Sequence, residues 1–162
     1  MDFTGTRIDL LSDMYCLEPL RGKEKFSSKR SYFYSPNLPD AFDGYRILQL
    51  SDIHSGSWKG NGKALQEAID ICNRQDADLA VFTGDLVNSR ADELLEFMPV
   101  FSQLKARDGV YSVLGNHDYG SYVKWENEIY GKQDIKSRPF CSTGCRGFMG
   151  ASHECMGGTG IS

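Results

Sequence analysis

The stretch GVYSVLGNHDYG, residues 109–120, joins an apolar run to a cluster of polar side chains. Its first part, Val110–Leu114, is typical of a buried strand. A glycine ends the run, and an amide, an imidazole and a carboxylate follow it in Asn116, His117 and Asp118. Such a cluster is either ordinary turn chemistry or a set of groups that the tip of a strand presents to a metal ion or a phosphate.

Two further apolar runs upstream, Tyr45–Leu50 and Asp78–Thr83, also end in polar clusters and are predicted strands. Asn61–Arg74 and Ala91–Ala106 carry apolar residues at helical spacing and are predicted helices. The alternation of strand and helix predicts an α/β fold with right-handed crossovers and a parallel β-α-β-α-β core. Because parallel strands end at the same edge of a sheet, the three polar clusters are expected to meet there.

Three regions of the chain differ in pattern. Residues 1–43 are predicted to be irregular, with a short extended segment at Ser31–Ser35, and residues 44–131 hold the strands and helices. Residues 132–162 show no periodicity and are rich in cysteine, glycine and serine. We interpret this tail as disordered or as the product of out-of-frame translation.

The composition is that of one soluble domain, with 40% hydrophobic and 25% charged residues in a chain of 162. A net charge of −4 argues against a nucleic-acid partner, and the basic run at Arg21–Arg30 is interpreted as a solvated loop. No apolar run approaches the ~20 residues of a membrane span, and no signal-peptide core is present. A cytoplasmic location is therefore expected, with membrane attachment of a longer form left open.

The five cysteines are odd in number and follow no repeated spacing, which indicates reduced thiols. Cys141 and Cys145 form a C-x3-C pair that is only loosely compatible with zinc.

The three clusters carry groups that suit divalent cations. Asp52 and His54 are one residue apart and can face the same way, while Asp85 follows a glycine and offers two carboxylate oxygens. Asn116 adds an amide oxygen. Mixed oxygen and nitrogen ligands suit Mn, Fe or Zn, and two such ions about 3.5–4 Å apart would clamp and polarise a phosphate. His117 beside them could protonate a leaving alkoxide, with Asp118 orienting its ring.

The motifs DIH (52–54), GDLVN (84–88) and GNHD (115–118) together resemble the first three motifs of the calcineurin-like metallophosphoesterases, and the flanking residues resemble bacterial members. The resemblance covers about residues 31–131. It implies an αββα sandwich that hydrolyses a phosphomonoester or phosphodiester with two metal ions.

By that resemblance, Asp52 and His54 hold one metal ion, Asp85 bridges the two ions and Asn116 holds the second. His117 faces the leaving group as the catalytic acid, and Asp118 supports it.

The sequence departs from the family pattern in its second half. The family continues with further metal-binding histidines, including a G-H-x-H motif, whereas the remaining histidine of this chain, His153, lies in ASHEC. The resemblance therefore covers only the N-terminal half of an incomplete sandwich. We expect weak metal binding and little or no hydrolysis by the chain as written.

Two other interpretations remain. The chain could be a non-catalytic remnant that binds a metal or a partner, with self-association through an uncovered face of the sheet. An unrelated nucleotide-binding α/β domain is disfavoured, because neither G-x-G-x-x-G nor a P-loop follows the first strand.

Overall fold

The computed structural model describes residues 5–12, 29–125 and 146–147. Within these ranges the strands and helices are β1 (Thr6–Ser12), β2 (Lys29–Ser35), β3 (Tyr45–Leu50), α1 (Gly62–Asn73), β4 (Leu79–Phe82), α2 (Met98–Phe101), β5 (Val110–Ser112) and β6 (Arg146–Gly147). Short 3-10 turns lie at Asp40–Phe42, Ser55–Trp58, Ala91–Leu94 and His117–Tyr119.

The strands form one sheet in the order β2-β1-β3-β4-β5-β6. β1 and β2 are antiparallel, and every other neighbouring pair is parallel. The predicted α/β class with a parallel core is confirmed. Because β3, β4 and β5 are parallel neighbours, their carboxyl ends share one edge of the sheet, where the three polar clusters begin.

One face of the sheet packs against α1 and holds the core. Alternate residues of β3 and β4 point to this face, as the period of a strand requires. The α1 residues spaced along one side of the helix are buried against them. Each buried leucine, isoleucine or phenylalanine contributes about 1.5–3 kcal/mol. The buried strand residues are Leu48, Leu50, Ala80 and Phe82, and those of α1 are Ala64, Leu65, Ala68, Ile69 and Cys72. The helix predicted at Asn61–Arg74 is therefore confirmed to within one residue at each end.

The helix predicted at Ala91–Ala106 is wrong as a continuous element. The chain forms a 3-10 turn at Ala91–Leu94 and then a single α-helical turn, α2. Pro99 explains the break, because it has no backbone N–H and its ring clashes with the carbonyl four residues earlier. The apolar residues of the predicted helix are nevertheless in the core, namely Leu94, Phe97, Phe101 and Leu104.

The N-terminal region holds more structure than its sequence indicates. β2 includes the extended segment predicted at Ser31–Ser35, but β1 occupies part of the region predicted to be irregular. β1 carries a buried aspartate at its centre, which breaks the alternation of a half-buried strand. Asp9 is 5% exposed, and its Oδ1 lies 2.9 Å from Nε of Arg7. A charged pair inside a strand is the reason that periodicity missed this element.

The tail predicted to be aperiodic contributes one short strand, β6, which pairs in parallel with β5. The C-x3-C pair, His153, Cys16 and most of the basic run lie outside the described residues.

The described residues cover the second face of the sheet only in part. A groove of about 550 Å³ lies on it, lined by Tyr45, Leu79, Val81, Phe82, Thr83, Asp108, Tyr111, Ser112 and Val113. Most of these side chains are apolar, and Val113 is 45% exposed.

Packing of α1 on the sheet can be tested through Cys72, a buried cysteine that is 1% exposed. Burial raises the pKa of this thiol to about 12, so little reactive thiolate is present at pH 8. We expect iodoacetamide to modify Cys72 at least about 100-fold more slowly in the folded chain than in the chain unfolded by guanidinium. Peptide mass spectrometry would give the rate at this site, and equal rates in the two states would contradict the packing of α1.

Candidate metal centre

The first two polar clusters are joined through their backbones beyond the ends of β3 and β4. The amide of Asp52 donates to the carbonyl of Gly84 at 3.2 Å, and that of His54 donates to the carbonyl of Asp85 at 3.0 Å. These hydrogen bonds extend the pairing of the two strands into the loops. The side chains that follow β3 are therefore held beside those that follow β4.

Three of the predicted ligands have a left-handed backbone. The φ angles are 52° for Asp52, 48° for His54 and 55° for Asp85. A non-glycine residue in this region costs of order 1 kcal/mol and persists only where its surroundings hold it. A hydrogen bond to Ile53 helps to hold the loop of residues 52–54, because the carbonyl of Ile53 accepts it from Nε1 of the buried Trp58 at 2.8 Å.

Two glycines let the second and third clusters meet. Gly84 has a φ of 113°, and a Cβ on it would overlap the backbone of Gly115. A Cβ on Gly115 would in turn overlap the carboxylate and amide of Asp85. The backbones of the two loops are therefore in direct contact, and a residue larger than glycine at position 84 or 115 would prevent that contact.

Asp118 ties these two loops together. Its carboxylate accepts hydrogen bonds from the amides of Asp85 at 2.7 Å, Leu86 at 3.1 Å, Val87 at 3.3 Å and Gly115 at 2.9 Å. The residue is 1% exposed, and a buried carboxylate is tolerated when several donors replace its water. The structure therefore shows Asp118 as an anchor for the backbone of the site.

The side chains of His54, Asp85 and His117 converge. One potential ligand atom from each lies within 4.8 Å of the other two, and all three residues are half-buried. Asp85 uses Oδ1 to accept the amide of His117 at 2.9 Å, which leaves Oδ2 available. Asp52 stands beside this group, with its Oδ1 4.0 Å from Nε2 of His54 and its side chain 68% exposed. Two imidazoles and a carboxylate fit a divalent transition metal.

The ring of His117 is held in one orientation. Its Nδ1 lies 2.7 Å from the carbonyl oxygen of Asn88. A carbonyl oxygen only accepts, so Nδ1 carries the proton of this bond and Nε2 is left for a metal ion or substrate. The ring meets that of His54 edge to face at 4.6 Å and stacks on Tyr122 at 4.4 Å.

Asn116 precedes His117 in the chain, and its side chain contacts Tyr122. Its Nδ2 donates to the hydroxyl of Tyr122 at 2.8 Å. The amide oxygen is thereby left as the atom that could accept or coordinate.

Three residues of this site were missed by reasoning from the sequence. Asn88 stands inside the GDLVN motif, but its carbonyl, which contacts His117, is a backbone group without a side-chain signature. Glu93 accepts hydrogen bonds from the amides of residues 88–90, and its position three residues after Arg90 resembles a capping box. Tyr122 gave no recognisable signal.

The anchoring role of Asp118 predicts a large loss of stability in Asp118→Asn. An asparagine side chain keeps only one acceptor oxygen, and its N–H groups would face backbone N–H groups, so donors would be left without an acceptor. We therefore expect the free energy of unfolding to fall by about 2–4 kcal/mol. Asp52→Asn is the matched control, because asparagine tolerates a positive φ and the side chain is exposed. It should change stability by less than about 0.5 kcal/mol. Urea denaturation measures both, and equal effects would refute the anchor.

A model of the calcineurin-like phosphoesterase family matches residues 45–154, more than half of the chain. Compared with residues 31–131, which carry the sequence resemblance, the match begins later and ends later, at residue 154.

Individual relatives agree with the family match. A zebrafish (Danio rerio) transmembrane protein with a metallophosphoesterase domain is 39% identical over 82 residues, covering 51% of this chain and 18% of that protein. The Bacillus subtilis metallophosphoesterase YkuE is 33% identical, covering 52% of this chain and 30% of its own length. The UDP-2,3-diacylglucosamine pyrophosphatase LpxG of Chlamydia trachomatis is 36% identical over 111 residues, covering 64% and 33%.

The chain thus spans a third or less of the length of these relatives. No solved structure gives a significant match. No helix among the described residues is both long enough and apolar enough to span a bilayer. The α/β fold, the converging donors at the strand ends and the family match agree: this chain belongs to the calcineurin-like phosphoesterases.

Proposed function

We propose that this chain supplies metal-binding and acid–base groups for the hydrolysis of a phosphoester. The observation that carries the proposal is the convergence of His54, Asp85 and His117 at the carboxyl edge of the sheet. In a parallel α/β sheet this edge is where substrates bind.

The metal ligands proposed are Asp52, His54, Asp85 and Asn116, for two divalent cations of the Mn, Fe or Zn type. Asp52 and His54 are adjacent, and Asp85 keeps one carboxylate oxygen uncommitted. Bound cations would polarise the phosphate and lower the pKa of an attacking water.

His117 is the proposed acid for the leaving group. With Nδ1–H donated to the carbonyl of Asn88, a proton for the leaving alkoxide would be held at Nε2. The fixed ring gives that proton one direction of transfer, towards the space shared with His54 and Asp85. Asp118 acts on catalysis only by holding the loops of Asp85 and Gly115 in place.

The substrate class proposed is a phosphomonoester or phosphodiester. One relative is named UDP-2,3-diacylglucosamine pyrophosphatase, so a substrate with a pyrophosphate bond should be assayed as well. The cytoplasmic location stays a prediction. Because some relatives are named as transmembrane proteins, membrane attachment of a longer form is a second hypothesis.

The activity expected of this chain is low. Its sequence contains three histidines, and the G-H-x-H motif of the family pattern is absent from it. With fewer protein ligands, water must complete the coordination of each ion, which weakens binding. Histidines from outside this sequence would be needed for full hydrolysis.

The face of the sheet that the described residues leave uncovered supports self-association as a further proposal. The groove that includes Leu79, Val81 and Tyr111 is largely apolar, and such surfaces are covered in stable proteins. Light scattering should show a mass above that of the monomer, reduced by Val81→Lys. A wild-type chain that stays monomeric at all concentrations would contradict it.

Metal binding tests the proposed function directly. We expect the wild-type chain to bind Mn²⁺ and Asp85→Asn to bind it at least about tenfold more weakly, since the substitution removes a carboxylate oxygen from the centre of the donor group. Asp70→Asn is the matched control, because Asp70 is an exposed carboxylate on α1. Calorimetric titration measures the affinities, and undiminished binding by Asp85→Asn would refute the site.

Slow hydrolysis of bis(p-nitrophenyl) phosphate is the second readout. Little or no turnover is expected of this chain, and any residual rate should require Mn²⁺ and disappear in Asp85→Asn while Asp70→Asn retains it. Hydrolysis that survives in Asp85→Asn would show that another site, or a contaminant, is responsible.

A further inference from the structure

A chain of hydrogen bonds runs from the ring of His117 to a carboxylate outside the three sequence motifs. It begins with Nδ1 of His117 at the carbonyl oxygen of Asn88, 2.7 Å away. A backbone carbonyl can fix a ring only if its own segment is held. What holds the segment around Asn88 therefore decides the orientation of His117.

Glu93 holds that segment. Its Oε2 accepts the amide of Asn88 at 2.6 Å, and its Oε1 accepts the amides of Ser89 at 3.2 Å and Arg90 at 3.1 Å. One carboxylate thus takes the N–H groups of three successive residues. Hydrogen bonds from amides to a carboxylate are stronger than those between neutral groups, so the bond to each oxygen resists rotation of the loop.

The same segment is also fastened to the loop of the first motif. Nδ2 of Asn88 donates to Oγ of Ser57 at 2.9 Å. A Cβ on Gly56 would lie 2.7 Å from Oδ1 of Asn88 and 2.8 Å from Oε2 of Glu93, so the backbone of Gly56 closes the other side of the clamp. The segment is therefore confined between Glu93 and the residues that follow His54.

We propose that Glu93 is a positioning residue of the metal centre. It holds residues 88–90 in place, so that the carbonyl of Asn88 keeps the proton of the His117 ring on Nδ1. The Nε2 atom of His117 then faces His54 and Asp85. The proposal rests on the proposed function for its purpose, but its geometry is independent of any activity.

The test compares Glu93→Ala with Glu96→Ala in the full 162-residue chain. Glu96 is an exposed glutamate in the same segment, so the control removes the same charge without touching the clamp. Long-range ¹H–¹⁵N correlation spectra of the metal-free chain report the tautomer of His117, and Mn²⁺ titration reports the affinity.

We expect His117 to be the Nδ1–H tautomer in the wild-type chain and in Glu96→Ala. In Glu93→Ala we expect a mixture of tautomers, while the affinity for Mn²⁺ shows whether the proposed metal ligands are still in place. Thermal melts confirm that each variant is folded.

If Glu93→Ala does not fold, Glu93→Gln replaces it in the experiment. Glutamine keeps one of the two accepting oxygens, so a mixture of tautomers between those of the wild-type chain and Glu93→Ala is expected. A folded variant at position 93 with an unchanged tautomer overturns the proposal, whatever its affinity for Mn²⁺. A wild-type chain that binds no Mn²⁺ would refute the proposed function alone, because the tautomer still decides the role of Glu93.

Discussion

The carboxylate of Asp118 is the interaction on which the rest of the site depends. It is buried and accepts four backbone N–H groups, three from the loop after β4 and one from Gly115 after β5. Two loops that lie far apart in sequence are thereby joined through a single charge. Because an uncompensated buried carboxylate is costly, these four donors and Asp118 stabilise one another or are lost together.

The positions of the proposed ligands depend on these hydrogen bonds to Asp118. With the loops held, Gly84 and Gly115 bring the two backbones into contact, and the amide of His117 reaches the carboxylate of Asp85. The left-handed backbones of His54 and Asp85 are held by hydrogen bonds between the first two loops. Strain of this kind is found where a structure aims side chains at a ligand, and here it aims two imidazoles and a carboxylate at one point.

Sequence patterns predicted the parts of the fold that depend on side-chain type. Tyr45–Leu50 is found as predicted, and the polar clusters after three parallel strands could be foreseen as neighbours. β1 was missed because the buried Asp9 breaks its apolar pattern, and Pro99 divides a region whose apolar spacing predicts one helix. The contact of His117 with a carbonyl, and the anchoring of Asp118 to amides, could not be predicted, since backbone groups are the same in every residue.

The most direct test of the account is an Mn²⁺ titration followed by ¹H–¹⁵N correlation spectra of the chain. The paramagnetic ion broadens signals of nuclei close to it. At low ratios of metal to protein, the account predicts loss of the amide signals of residues 52–55, 84–88 and 115–118 together. Loss that begins elsewhere, for example around the carboxylates of Asp78 and Asp108, would contradict a metal centre built by the joined loops.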